Sequence, residues 1–114
     1  LKLGKGSAVG SATMVIPAGT KKISFYAYAW KGKTASLSFK IGETALGSNI
    51  ALKANEGCAS VSPYKLVNVS KSDMYTIDVT ALNGGNALAS DVTVTVESVK
   101  GTDYRAVIFA VNAE

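Results

Sequence analysis

No histidine occurs anywhere in this chain of 114 residues, and cysteine occurs once, as Cys58. The first absence removes the commonest general base and a principal zinc ligand. The second rules out a disulfide within the chain. A lone thiol with no histidine to deprotonate it is a poor nucleophile, so Cys58 is expected to be a small loop or core residue. Arginine is equally scarce: Arg105 stands alone among scattered lysines. Nucleic-acid surfaces cluster their basic residues and favour arginine for bidentate contacts, so no nucleic-acid partner is expected. The net charge of +4 is read instead as solubility and protection of strand edges. No apolar run approaches the ~18 residues of a membrane span, and no direct membrane insertion is expected.

Signatures of catalysis are missing as well. There is no nucleophile elbow and no phosphate-binding glycine loop. Glycoside hydrolysis needs two positioned carboxylates. Glu43, Glu56, Asp73, Asp78, Asp91, Glu97 and Asp103 are available, but no pair among them stands out. Asp73 and Asp91 stand at strand starts, where aspartate is a common turn residue. No catalytic residue is assigned and no enzyme activity is expected of this chain alone.

What the sequence does contain is a hydrophobic fraction of 47% against 18% charged, which excludes a disordered chain. Its length suits one domain with a core of its own, so residues 1–114 are read as a single module. The apolar residues follow a period of two. Ala12, Met14 and Ile16 alternate with Ser11, Thr13 and Val15, and Pro17-Ala18-Gly19 then breaks the strand. Leu37, Phe39 and Ile41 alternate with Ser36, Ser38 and Lys40, and Val92, Val94 and Val96 with Thr93, Thr95 and Glu97. Short strands are expected near 44–46 and 50–52, and further strands over "YKLVNVS" (64–70) and "MYTIDVT" (74–80). "KGK" at 31–33 reads as a tight reversal, and Asn83-Gly84-Gly85-Asn86 as a turn-rich loop. "YRAVIFAVNA" is apolar on both faces, which places it centrally in a sheet. Eight or nine short strands with frequent turns and little or no helix predict an all-β, two-sheet antiparallel β-sandwich.

One strand is unusual. "KKISFYAYAW" (21–30) carries Ile23, Phe25, Ala27 and Ala29 on one face and Ser24, Tyr26, Tyr28 and Trp30 on the other. The first set is the better core, because small alanines allow close sheet packing. The aromatic face then requires a sugar, a neighbouring domain, or a covering loop from residues 43–65.

"GSATMVIPAGTKKISFYAYAWKG" and the closing "RAVIFAVNAE" resemble galactose-binding-like jelly-roll modules of exported bacterial proteins. The resemblance spans roughly residues 10–42 and 91–114. It implies a jelly-roll sandwich with carbohydrate binding as the commonest role, and an exported location: extracellular, cell-surface or periplasmic. The chain opens at Leu1 without an initiator methionine, so a processed chain or an excised domain of a larger protein is expected.

A sugar presents apolar C–H faces and a rim of hydroxyls, which calls for a flat aromatic and a few polar groups. Trp30 is the leading platform residue, and Tyr28 and Tyr26 continue its stripe at about 7 Å per two residues. Tyr64, Tyr104 and Arg105 are candidates for a second wall. Each has a packing alternative: the aromatics as half-buried margin residues, Tyr64 as a plug over the core end, Arg105 as the partner of Asp103 or Glu97. No cofactor is required. The resemblance implies a structural Ca²⁺ in many such modules, and Asn83, Asn86 and Asp91 flank a suitable loop. Their spacing matches no EF-hand rule, and an ordinary Asn-Gly turn is the default. The functional expectation is a non-catalytic glycan-binding module. The alternative is a structural or adhesion module whose aromatic face packs on a neighbouring domain or protein.

Overall fold

Alternating side chains become two packed sheets in the computed structural model, which describes residues 1–58 and 66–114. Among the described residues nine strands run as β1 (Lys2–Leu3), β2 (Ser11–Ile16), β3 (Lys22–Ala29), β4 (Ala35–Ile41), β5 (Thr44–Ala45), β6 (Ile50–Ala51), β7 (Tyr75–Asp78), β8 (Val92–Lys100) and β9 (Ala106–Ala113). One sheet has the order β1-β9-β3-β7 and the other β2-β8-β4-β5, with β6 also on β4. All the pairings between these strands are antiparallel. Successive strands β1 to β4 alternate between the sheets, and the last two interleave with them. This is the jelly-roll order.

The expected inward residues form the core between the sheets. Ile23, Phe25, Ala27 and Ala29 of β3 meet Leu37 and Phe39 of β4 and Val94 and Val96 of β8. Phe25 lies at its centre, 5.1 Å from the Phe39 ring and 5.5 Å from the Tyr75 ring between centroids. β9 runs between β1 and β3, as its two apolar faces require. The Pro17-Ala18-Gly19 break is a turn in which Thr20 N–H donates to Pro17 C=O. Gly19 takes a φ of +89° there, a region that costs glycine little.

Three details depart from the sequence pattern. Lys31-Gly32-Lys33 does reverse the chain, with Lys33 N–H donating to Trp30 C=O. It closes no hairpin, however, because β3 and β4 belong to different sheets. The strand expected over 64–70 is absent from its described part, residues 66–70. Asn68 adopts a φ of +54°, which breaks the alternation, and the Asn55 side chain takes up the backbone of Val67. The rest of that expected strand lies outside the described residues. Finally, β1 was not foreseen, since two residues carry no periodic signal.

β9 also bends. Its pairing with β3 shifts between Ser24 and Tyr26, so that Ala110 and Val111 together oppose Phe25. This is a β-bulge, and Ala110 holds a φ of +52° where glycine is usual. An L-residue pays about 1–2 kcal/mol for that conformation. Ala110→Gly should raise stability by up to about 1 kcal/mol after the entropy of the added glycine is subtracted. Ala110→Val, β-branched in the same conformation, should lower it by more than about 1 kcal/mol. Urea unfolding of the two variants checks both signs.

Candidate functional site

The outer face of the β1-β9-β3-β7 sheet is covered by the chain itself around Tyr28 and Trp30. Past the end of β7, the edge of β3 is taken up by residues 53–58. Ala29 N–H donates to Lys53 C=O at 2.7 Å, Asn55 N–H to Ala29 C=O at 3.1 Å, and Lys31 N–H to Cys58 C=O at 2.7 Å. A parallel bridge joins Ala29 to Ala54. Cys58 and Val107 then bury against Trp30, with Leu66 and Phe109 beside them. This is a second, smaller core on the back of the sheet. Burial pushes the Cys58 thiol above its ordinary range and keeps it protonated and unreactive at neutral pH.

The predicted platform residues do meet on this face. Tyr26 and Tyr28 stack on the Phe109 ring at 5.5 and 6.3 Å between centroids. Tyr26 is half-buried, whereas Tyr28 and Trp30 are only 3% and 4% exposed. Lys2 Nζ and Arg105 Cζ lie 5.0 and 5.1 Å from the Trp30 ring centroid, so two cations cap the indole. Arg105 is held there by buried Asp103: Nε and Nη2 both donate to Oδ2, at 2.8 and 2.7 Å, and Arg105 N–H donates to Oδ1. The covering-loop reading of the aromatic face therefore holds for Tyr28 and Trp30, and the Asp103 reading holds for Arg105. Tyr64 lies outside the described residues. Tyr104 is half-buried.

The calcium candidates stand in ordinary turn geometry. Asn83 Nδ2 donates to Ala87 C=O and Asn86 Nδ2 to Asn83 C=O, while Asp91 Oδ1 accepts from Ala18 N–H.

Beside the covered stripe a cleft of about 210 Å³ remains open, lined by Tyr28, Lys53, Ala54, Asn55, Glu56, Val67, Asn68 and Asp73. Of these, only Tyr28 was expected at a site. Tyr28 Oη donates to Asp73 Oδ2 at 2.7 Å, and Lys53 Nζ donates to Asp73 Oδ1 at 3.1 Å. Asp73 sits in a 3-10 turn (Lys71–Asp73) capped by the Ser70 hydroxyl, which brings the carboxylate back over Tyr28. Lys53 itself is 73% exposed, so its remaining N–H bonds face solvent. Asn55 is a clamp: its Oδ1 accepts from Gly57 and Val67 N–H, and its Nδ2 donates to Val67 C=O. An asparagine three residues after the short strand expected at 50–52 is the only signal for it in the sequence, and Asp73 reads as a plain turn residue.

The Tyr28 hydroxyl first, and Lys53 second, hold the Asp73 carboxyl below the ordinary carboxylate range. Its contribution to stability is present above the unfolded value near 3.8 and is lost as pH falls through the folded one. Tyr28 moves the other way, up to about 12, through burial first and then the hydrogen bond and charge of Asp73. Folding holds that phenolic proton more tightly, so stability is full below pH 10 and falls as pH rises from 10 toward 12. Burial raises Tyr75 as well. Thermal melts across pH should show both losses. Asp73→Asn should reduce the acid arm without abolishing it, because the hydrogen bonds of Thr80 lower Asp78 as well, and Tyr28→Phe should likewise reduce the alkaline arm without abolishing it.

Asn55→Ala strands two backbone N–H groups and one C=O near the second core. It should cost about 2 kcal/mol or more in urea unfolding. The Trp30 fluorescence should shift to the red as the cover loosens. An unshifted spectrum would mean that the cover does not depend on Asn55.

A scan against protein-family models matches none of them, and a search of curated proteins returns no relative. The case for a role rests on the geometry of this face.

Proposed function

We propose that the chain is a non-catalytic glycan-binding module of an exported protein, and that its sugar-contacting groups are the polar rim of the cleft. The observation that carries this reading is the convergence of a lysine, two carboxylates and two carboxamides on one small open cleft with an apolar wall at Val67. Ammonium, carboxylate and amide groups are the donors and acceptors that a ring of hydroxyls needs. The volume is below the roughly 300–1,000 Å³ of pockets for drug-sized ligands, which suits a single sugar ring or the end of a chain. Tyr28 and Trp30 have a supporting part here. Stacked and capped, they hold the floor and rim in place, and Tyr28 passes its hydroxyl through to fix Asp73.

Lys53 and Asn68 are the residues to test. Lys53 is exposed and extends from the covering segment. Asn68→Gly removes the carboxamide while keeping the left-handed backbone that Asn68 adopts. A glycan array followed by calorimetry should find a bound carbohydrate. Lys53→Ala and Asn68→Gly should each weaken it by about tenfold, the loss of one charged or neutral hydrogen bond. Trp30→Phe should leave affinity nearly unchanged. The absence of any carbohydrate ligand, or binding indifferent to both cleft variants, would sink the proposal.

A structural or adhesion role is the second reading. It is favoured by Val67, Val69 and Met74, which stand exposed along residues 67–74 beside the cleft. On that reading a neighbouring protein surface covers these side chains.

A further inference from the structure

β2 is an edge strand, and its free side is unusually well suited to pairing. Ser98 N–H donates to Gly10 C=O at 2.8 Å, which sets the phase of the β2–β8 ladder. The backbone groups of Ala12, Met14 and Ile16 therefore face β8. Those of Ser11, Thr13 and Val15 face away from it. Among the described residues, no hydrogen bond reaches the outward N–H and C=O groups of these three residues.

Natural edges are usually blunted by shortness, charge, proline or a bulge. The other edge strands follow that rule. β1 and β5 have two residues each, and β7 has four and carries Asp78. β2 has six residues, no charge and no proline, and its register with β8 is unbroken. Val15, on its outer face, is 63% exposed. Ala12 and Met14, on its core-facing side, are only partly buried although they pack against the core.

We infer that this edge pairs with β2 of a second copy of the chain, antiparallel about a two-fold axis. The geometry selects one register. Facing residues must lie on the same face of the sheet, which a two-fold through an opposed pair of identical residues ensures. With Thr13 opposite Thr13, Ser11 opposes Val15, and the outward N–H and C=O groups of all three residues in both copies are satisfied. Centring on Ser11 or Val15 leaves some of them unpaired. The same register sets Ala12 opposite Met14 on the core-facing side, so the two cores become continuous. Charge permits it: each chain carries +4, but none of its lysines lies on β2, so no ammonium opposes another. The product is one continuous sheet with the order β5-β4-β8-β2 repeated in mirror sequence across the axis. A single strand pair buries less than the ~1,200 Å² of standard stable interfaces, so the dimer is a weak one.

Sedimentation velocity from micromolar to millimolar protein tests this directly. The wild-type chain should pass from monomer toward dimer. Amide exchange at Thr13 and Val15 should slow as concentration rises, while that of Met14 should not change. Val15→Lys adds an ammonium at an exposed position, and Thr13→Lys sets two ammoniums opposite each other across the axis. Each should weaken dimerisation by about tenfold or more, with unchanged thermal unfolding of the dilute monomer. A chain that stays monomeric at millimolar concentration overturns the inference, and an edge meant for a different extended segment is then the remaining occupant. A dimer insensitive to both lysine variants, or one that leaves Thr13 and Val15 exchange unprotected, overturns it as well.

Discussion

The two hydrogen bonds between Ala29 and the segment at Lys53–Asn55 decide what the rest of this molecule looks like. β7 pairs with β3 only over Lys22 to Phe25, which leaves the second half of that edge open. Ala29 is where the chain returns to it. Once Lys53 C=O and Asn55 N–H are bound there, residues up to Cys58 are carried across the outer face, and Trp30 gains a cover. Asn55 then extends the arrangement one layer further. Its carboxamide presents an acceptor and a donor to Val67 much as a neighbouring strand would. A side chain thus replaces the ladder that the alternation of "YKLVNVS" leads one to expect.

That substitution explains which parts of the fold were legible. β2, β4 and β8 each have one apolar and one polar face, and a period of two identifies both the strand and its inward side. β3 and β9 have two apolar faces; in β9 only Ala106, Val107 and Ile108 are buried and residues 110–113 stand exposed, whereas for β3 the sequence tells correctly that both faces must be covered. It does not tell by what, because the covering residues lie 24 or more positions away from Ala29 and bind through backbone atoms. Backbone pairing carries no residue signature. The same limit applies to Trp30–Lys33, where a turn read from Gly32 is real but the change of sheet depends on β8 and β9, near the other end of the chain. At the candidate site, residue types suggested aromatics because aromatics are conspicuous. The open groups are instead Lys53, Glu56 and Asn68, ordinary surface residues whose convergence beside Asp73 is a product of the fold.

Polar groups on the outer face serve mainly to close the edges of the apolar patch. Arg105, fixed by Asp103, and Lys2 cap the Trp30 ring, and Lys53 with Asp73 closes the side at the Tyr28 hydroxyl. Long cationic side chains are suited to this work, because their stems cover carbon while their heads stay wet. A sheet with apolar side chains on both faces would otherwise expose about half of them. The wide scattering of lysine along the sequence, uninformative as a pattern, is here partly a list of rim positions.

The cleft and the free edge lie on different sheets, the cleft behind β3 and the edge along β2. Pairing through β2 as inferred would therefore leave the cleft on the first sheet accessible in both copies. This separation has a consequence for affinity. On the proposed glycan reading, a cleft with a few hydrogen-bonding groups and no exposed stacking ring would bind a single sugar weakly, since each neutral hydrogen bond nets only ~0.5–1.5 kcal/mol. Two such clefts held in the inferred dimer would turn the second contact with a repeating polymer into an intramolecular event, at an effective concentration far above that of the free protein. Weak self-association and weak site affinity would then reinforce one another on a polysaccharide. Free monosaccharides, which would engage one cleft at a time, would gain nothing from the pairing.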